Sequence, residues 1–202
     1  MPKPVSISLS PKPDDLASNP ELVSHIARIA LAWSNIEEEL ALIFAYGMGA
    51  EPAISAAIMG NVANLATRLA MIRTALTLGV SEEAGSAFWK MFEQKIRKRA
   101  KSRNIVVHAI WTVHADYPNE LIRTSGIMDP FLNAERYSLA DFLGIELELA
   151  KLREGLRVFD MLLPSQFPHR DQTERPPFWR RSEPQQPEAD AQGQSDQTHP
   201  SE

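Results

Sequence analysis

Apolar residues recur every three or four positions in four separate stretches of this chain, and this spacing constrains the fold more than any other feature. In the first stretch the recurring residues are Leu22, Ile26, Ile29, Trp33, Ile36, Leu40 and Ile43. Spacing of this kind places the apolar side chains on one face of an α-helix. Because each helix can bury that face only against another helix, the sequence predicts an all-α fold, a four-helix bundle.

Capping residues and turn residues set the expected bounds of the four helices. Asn19 followed by Pro20 marks the start of the first helix, and Ser81 marks the start of the third. Ser138, with Asp141 three residues later, predicts a capping box at the start of the fourth. The second helix is expected to have a kink or break at its Gly–Asn pair. The expected helices cover residues 20–46, 52–78, 81–109 and 138–164.

The segment before the last helix loses the helical spacing. Residues 111–137 contain the turn-forming pairs Pro118–Asn119 and Asp129–Pro130, which indicate a loop or small hairpin inserted between the third and fourth helices. The last helix is expected to end at Pro164. Its expected core residues are Leu139, Phe142, Leu143, Leu147, Leu152, Leu156 and Phe159.

Both terminal segments lack a pattern that could build a core. Residues 1–18 contain four prolines and predict an irregular arm, so the folded domain is expected over residues 19–164. Residues 165–202 contain six prolines and seven glutamines, which predicts a disordered tail. Within that tail, the segment Phe178–Trp179–Arg180–Arg181 is either a short docking motif or a chance cluster.

The composition excludes several kinds of chemistry. The chain has no cysteine, so disulfides and Cys-ligated metal centres are excluded. It carries no phosphate-binding glycine motif, and the spacing of His108, His114 and Asp116 matches no standard zinc pattern, so we expect no cofactor and no metal. No stretch reaches the ~20 apolar residues of a membrane span, and no signal architecture is present. These observations predict a cytoplasmic protein with no membrane partner.

One strongly basic segment lies on a chain whose net charge is −5. Six of the nine residues from 95 to 103 are basic, namely Lys95, Arg97, Lys98, Arg99, Lys101 and Arg103. Phosphate backbones bind such clusters through electrostatic attraction, which makes RNA a candidate partner. The alternative interpretation is an ordinary solvated helix face.

Arg103 falls within the apolar stripe that is expected on the third helix. That stripe consists of Trp89, Phe92, Ile96, Ala100, Val107 and Ile110. Because an arginine is almost never buried without a partner, one interpretation is a structural ion pair, for which Glu37, beside the stripe of the first helix, is the candidate partner. Such a pair is compatible with a functional role, since a carboxylate can orient an active-site arginine. A position that breaks a local rule in this way is typical of a functional or strained site.

Asn104 and His108 are expected on a different face of the same helix. At roughly 100° per residue, His108 lies about 40° from Asn104 and about 140° from Arg103. It shares its face with Arg97 and Lys101, which predicts a basic side that solvent can reach. Arg103 joins this side either by reaching round the helix or across a subunit interface.

The segment Arg103–Asn104–Ile105–Val106–Val107–His108 resembles the signature of the HEPN superfamily, an arginine and a polar residue followed, after three further positions, by a histidine. The next residues, Ala109–Ile110–Trp111, are similar to sequences of bacterial members. The pattern Trp33-x-x-Ile36-Glu37-x-x-Leu40 in the first helix is also similar to sequences of this superfamily. The resemblance covers residues 20–163, and many members of this superfamily of helical bundles are ribonucleases.

The resemblance implies a metal-independent endoribonuclease, in which the ribose 2′-OH attacks the neighbouring phosphate and leaves a 2′,3′-cyclic phosphate. His108 would be the general acid or base, since the unperturbed pKa of histidine lies near neutral pH. Arg103 would stabilise the charge of the transition state, and Asn104 would orient His108 or the phosphate. The other basic residues of the 95–103 segment would bind RNA, with Glu37 supporting Arg103.

The resemblance also implies a homodimer, in which the Arg–His pairs of two subunits share one cleft. Ile105 and Val106, which lie off the expected stripe, are expected to contribute to that interface. A toxin or phage-defence component with an antitoxin partner protein is the implied biological role. Many superfamily members have lost catalysis, so the alternative is a non-catalytic dimeric module that binds RNA or a partner protein. A third hypothesis, a purely structural scaffold, explains the basic segment by solvation alone.

Overall fold

The computed structural model describes residues 2–5, 19–114, 116–124 and 134–169. These residues form five helices and one four-stranded antiparallel sheet. The elements, in chain order, are β1 (Lys3–Val5), α1 (Pro20–Met48), α2 (Pro52–Gly60), α3 (Leu65–Gly79), α4 (Glu82–His108), β2 (Ile110–His114), β3 (Tyr117–Thr124), β4 (Ala134–Ser138) and α5 (Leu139–Gln166).

The second predicted helix is two helices, α2 and α3, so the bundle has five helices rather than four. The chain breaks after Gly60, where the sequence predicted a kink or break. Asn64 then begins a new helix, because its side-chain oxygen accepts hydrogen bonds from the backbone N–H groups of Ala66 and Thr67. This cap satisfies donors that a continuous helix would have satisfied with its own carbonyls.

Helices α1 and α3 run in the same direction. Glu37 of α1 pairs with Arg68 of α3, with 2.6 Å between the carboxylate and the guanidinium. Further along both helices, the backbone of Gly47 lies against Ala75. Two short connections and the nine-residue α2 therefore return the chain to the middle of α1 before α3 begins.

Helices α4 and α5 are antiparallel and share an aromatic core. Arg99 of α4 pairs with Glu148 near the start of α5, whereas Phe92 packs edge-on against Phe159 near its end, at 5.5 Å between ring centroids. Phe88 completes the cluster with both rings. This cluster fixes the rotation of α4 about its own axis.

Helices α1 and α5 are parallel, and their interface contains buried polar groups. His25 lies 2.5 Å from the carboxylate of Glu146, and Glu39 further along α1 accepts a hydrogen bond of 3.2 Å from Arg153. Burial, together with the nearby charge of Glu39, raises the pKa of Asp160. The two long helices are thus joined by polar side-chain contacts, one of them the ion pair of Glu39 and Arg153, as well as by apolar packing.

The fold is mostly α-helical, as predicted, but the four-stranded sheet shows that it is not all-α. The small hairpin expected before the last helix is the pair β2–β3. The strand order of the sheet is β1-β4-β3-β2, and β1 lies in the segment for which an irregular arm was expected. Lys3 of β1 pairs with Arg136 of β4, a partner more than a hundred residues away. Local spacing cannot reveal such a pairing. Pro4 is tolerated in β1 because an edge strand does not need every backbone N–H for the ladder.

The end of α5 differs from its prediction. Pro164 lies inside the helix, which continues to Gln166. The hydroxyl of Tyr46 then donates a hydrogen bond of 3.0 Å to the carbonyl of Phe167, and the imidazole of His169 packs against the ring of Tyr46. The folded domain therefore extends at least to His169 rather than to residue 164. The rest of the predicted tail, residues 170–202, lies outside the described residues, as do residues 6–18 of the arm.

Five residues assigned to the core or to the surface from spacing lie elsewhere. Leu143 and Leu147, expected in the core, are 46% and 55% exposed, because α5 carries apolar residues on two sides. On α4 the core residue is Val106, which is fully buried, and Val107 is only half-buried. Val106 is therefore unavailable for the dimer interface to which the sequence assigned it. Ile110, the last residue of the expected stripe, is also exposed.

No single helix in the described part of the chain is long and apolar enough to cross a membrane. Helices α1 and α2 meet the length and composition requirements only as a pair, with a bend of 118° between them.

Gly79 is required by the close approach of two backbones. A Cβ atom at position 79 would overlap the carbonyl oxygen of Gly47, which is main chain and cannot rotate away. We expect Gly79→Ala to lower the free energy of unfolding by roughly 1–3 kcal/mol, the usual cost of overpacking. Chemical denaturation measures the change. Gly60→Ala is the matched control, since a Cβ atom there has no neighbour within 4 Å; an equal loss in both variants would contradict the packing described here.

Candidate phosphate-binding site at the end of α4

The site exists because α3 is much shorter than α4. Helix α3 has 15 residues and α4 has 27, so α3 leaves the last turns of its neighbour uncovered. A shallow depression of about 550 Å³ lies on this part of α4, with Leu65, the first residue of α3, at its border. The lining residues from α4 are Arg97, Ala100, Lys101, Asn104, Ile105 and His108. The sequence predicted this shared face for Arg97, Lys101, Asn104 and His108.

Arg103 reaches round the helix to the polar residues beside it. One guanidinium nitrogen donates a hydrogen bond of 3.0 Å to the side-chain oxygen of Asn104. The same nitrogen lies 3.4 Å from Nε2 of His108. Because arginine has no acceptor, this contact requires Nε2 to accept, which places the proton of a neutral imidazole on Nδ1. All three predicted catalytic residues are thus brought together within one chain.

The guanidinium of Arg103 is only partly satisfied. Its Nε atom is buried and has no hydrogen-bond partner among the described residues. Because Nε is closed off from solvent, an anion from outside can reach only the terminal nitrogens of the guanidinium, one of which contacts Asn104 and His108. A guanidinium N–H is a strong donor to an anion such as a phosphate oxygen.

The interpretation of Glu37 as the partner of Arg103 was wrong. Glu37 pairs instead with Arg68, whose Nε also donates to the carbonyl of Val62. Arg68 lies in the first turn of α3, and the parallel packing of α3 on α1 brings it to Glu37. The sequence could not distinguish the two arginines, because that choice depends on where α3 begins.

The basic segment is divided between two sides of α4. Arg97 pairs with Glu93 and Arg99 with Glu148, so neither guanidinium is wholly free for RNA. The hydrogen bond from Lys151 is the largest cause that lowers the pKa of Glu148, and the positive charges of Arg99 and Lys151 lower it further. Of the predicted RNA-binding residues, the depression is lined only by Arg97 and Lys101.

The remaining two predicted RNA-binding lysines lie elsewhere on α4. The ammonium of Lys95 lies over the ring of Phe92, at 5.8 Å from its centroid, on the side of α4 that faces α5. Lys98 is exposed and close enough to Glu148 to lower the pKa of that carboxyl. The predicted RNA-binding surface is therefore smaller than the basic segment suggests.

The start of α3 adds to the positive potential of the depression. The N-terminal end of a helix carries a partial positive charge and unsatisfied N–H groups, both of which favour anions. Asn64 accepts hydrogen bonds from the N–H groups of Ala66 and Thr67 through its side chain and from that of Arg68 through its carbonyl, so α3 contributes mainly the partial charge of its end. The depression therefore combines a helix N-terminus with Arg97, Lys101 and the Arg103 guanidinium at its edge.

Trp111 holds the end of α4 in place, and the sequence did not predict this role. Its indole N–H donates a hydrogen bond of 2.9 Å to the carbonyl of Val106, one of the helix-terminal carbonyls that lack an intrahelical partner. The ring also packs edge-on against Tyr137, with 5.0 Å between the ring centroids. It lies at a tilt against Phe142, with 5.5 Å between the centroids. The available signal was a tryptophan three residues after the last helical position, His108, where it can reach back to the last turn.

In the part of the chain that the structure describes, no three or more histidine, aspartate or glutamate side chains are grouped as metal ligands would be. His114 and Asp116 lie 3.6 Å apart at the end of β2, and neither lines the depression.

Comparison with known proteins gives no relative: no family model, no curated protein and no solved structure matches this chain.

Replacing Trp111 by phenylalanine tests how the end of α4 is held. The variant keeps an aromatic ring but leaves the buried Val106 carbonyl without its donor, which we expect to cost about 1–3 kcal/mol of unfolding free energy. Trp89→Phe is the matched control, because the ring of Trp89 is half-buried and contacts Arg73 through its face. Urea titrations of both variants measure the difference. Equal, small losses would show that the indole N–H does not anchor the helix.

Proposed function

We propose that this protein is an HEPN-like, metal-independent endoribonuclease. The observation that carries the proposal is the placement of the Arg103 guanidinium 3.4 Å from the His108 imidazole, at the edge of a basic depression. A cation beside a proton-transfer group is what cleavage of a phosphodiester by an internal nucleophile requires. The resemblance of residues 103–108 to the HEPN signature adds to this argument.

The proposed reaction needs no water and no metal. The ribose 2′-oxygen attacks the adjacent phosphorus, the bond from phosphorus to the 5′-oxygen breaks, and the 2′-hydroxyl proton is transferred to the departing 5′-oxygen. The products are a 2′,3′-cyclic phosphate and a 5′-hydroxyl. His108 mediates the proton transfer, and Arg103 stabilises the extra negative charge of the phosphorane-like transition state. Asn104 holds the Arg103 guanidinium through the 3.0 Å hydrogen bond.

Arg97, Lys101 and the N-terminus of α3 bind the flanking phosphates in this proposal. Since one chain supplies both members of the Arg–His pair, cleavage does not require a second subunit to complete the pair. A role as a toxin or phage-defence component and control by an antitoxin partner protein belong to the same proposal and rest on the HEPN resemblance. The cytoplasmic setting in this proposal rests on the composition of the sequence.

The second candidate function is a non-catalytic RNA-binding module, and one observation favours it. Nδ1 of His108 has no hydrogen-bond partner within residues 19–114, 116–124 and 134–169. Catalytic histidines are usually oriented by a third group, and the depression here is open and shallow. If the second candidate is correct, Arg103 and His108 bind phosphate without breaking a bond.

Substitution of His108 separates the two candidates. We expect His108→Ala to reduce RNA cleavage about 10²–10⁴-fold, the usual loss for a general acid or base. The fold should be unchanged, because His108 is exposed. His114→Ala is the matched control, since that histidine lies outside the depression. Gel assays with the wild type in EDTA should still show cleavage and cyclic-phosphate ends. A wild type that binds RNA but never cleaves it would leave only the binding module.

The lysines of the basic segment should differ in their effect on RNA binding. In a His108→Ala background, which prevents cleavage, we expect Lys101→Ala to weaken binding. It should also reduce the slope of log affinity against log salt by about 0.7–1, the contribution of one phosphate contact. Lys95→Ala should change neither quantity, because its ammonium lies over Phe92. Fluorescence anisotropy at several salt concentrations measures both. Equal effects of the two lysines would mean that RNA does not enter the depression.

A further inference from the structure

Helix α5 carries a second apolar stripe on the side opposite its buried one. Five of its large apolar side chains are between 41% and 69% exposed, namely Leu143, Leu147, Val158, Met161 and Leu162. They recur at the spacing of one helix face and extend over about 30 Å of the helix. Lys151 and Glu154 lie between the two apolar halves of this face. Exposed apolar patches that are bordered by charged residues are typical of protein interfaces.

We propose that this face of α5 packs against α5 of a second copy of the chain, antiparallel and about a two-fold axis that passes between residues 152 and 153. This inference is independent of the proposed ribonuclease function. A second copy fits this face because the face is complementary to itself in this register, both in its apolar residues and in its charges.

The apolar residues match across the two-fold axis. In this register Leu147 faces Val158 of the second copy, Leu143 faces Leu162 of the second copy, and the second copy's Met161 lies over Gly144. No atom lies within 4 Å of a Cβ built at position 144, so the small glycine leaves room for a methionine from outside. By symmetry each of these contacts forms twice.

The charges at the centre of the face match as well. The register places Lys151 opposite Glu154 of the second copy, and by symmetry Glu154 opposite the second copy's Lys151. Within one chain Lys151 and Glu154 form only i,i+3 pairs, with Glu148 and Arg157 respectively, whose atoms are 3.4 Å apart, and both side chains are about 60% exposed. The isologous contact therefore gives each of these two charges a partner of opposite sign across the interface.

Other occupants fit this face less well. A lipid surface would have to accommodate Lys151 and Glu154, both in the middle of the stripe, without a partner for either. A helix of a different protein is not expected to carry the pattern of apolar and charged residues that matches α5 in this register. The arrangement also differs from the shared cleft that the HEPN resemblance implies. Because α4 ends near the start of α5, an antiparallel α5 pair holds the two Arg103–His108 sites at opposite ends of the dimer.

Light scattering of the full chain tests the interface. The wild type should have twice the chain mass of 22.6 kDa at tens of micromolar. We expect Leu147→Asp to be monomeric under the same conditions, with unchanged helical circular dichroism. Met91→Asp, an exposed apolar residue on α4, is the matched control and should remain dimeric. A monomeric wild type, a dimeric Leu147→Asp variant or a monomeric Met91→Asp variant would each overturn the proposal.

Charge exchange tests the register and does not depend on an apolar substitution. Lys151→Glu and Glu154→Lys should each raise the dimer dissociation constant about tenfold or more, because each change places like charges together twice in every dimer. Carrying both changes on one chain restores opposite charges and should return the dissociation constant to within about threefold of the wild type. Sedimentation velocity measures all four proteins. If the double variant stays as weak as the single ones, the antiparallel register is wrong.

Discussion

The burial of α4 among its neighbours is the interaction on which the rest of the structure depends. Phe88, Phe92 and Ile96 are almost completely removed from solvent. The rings of Phe88 and Phe92 pack against each other and against the ring of Phe159. Close-packed aromatic side chains leave a helix little freedom to rotate. The rotation of α4 in turn decides which side chains of its last turns point outward. The position of His108 at the surface therefore follows from packing several turns earlier.

Helix lengths and caps then determine where the surface opens. Asn64 starts α3 beside the middle of α1, so α3 ends its contact with α4 before the last two turns of that helix. Trp111 closes the same end from the other side, through its hydrogen bond to Val106 and its contact with α5. The depression between these two fixed points is basic and shallow. Such a surface suits a flexible anionic polymer better than a small apolar ligand.

Much of the helical framework could be predicted from the sequence, because spacing and caps are local signals. The bounds expected for α1 and α4 differ from the observed ones by at most two residues, and the common face of Asn104 and His108 is present. Features that depend on distant partners could not be predicted. The strand at Lys3 needs a partner in β4, and the pairing of Glu37 with Arg68 depends on where α3 begins.

We propose that Arg103 and His108 of one chain bind a phosphate together, and histidine-selective NMR is the direct test of this proposal. A 2′-deoxy dinucleotide is a suitable probe, because it carries the phosphate and cannot be cleaved. We expect a saturable shift of the His108 imidazole signals, no shift for His25 or His114, and loss of the effect in Arg103→Ala. Unchanged His108 signals at saturating probe, or an equal shift in Arg103→Ala, would contradict it.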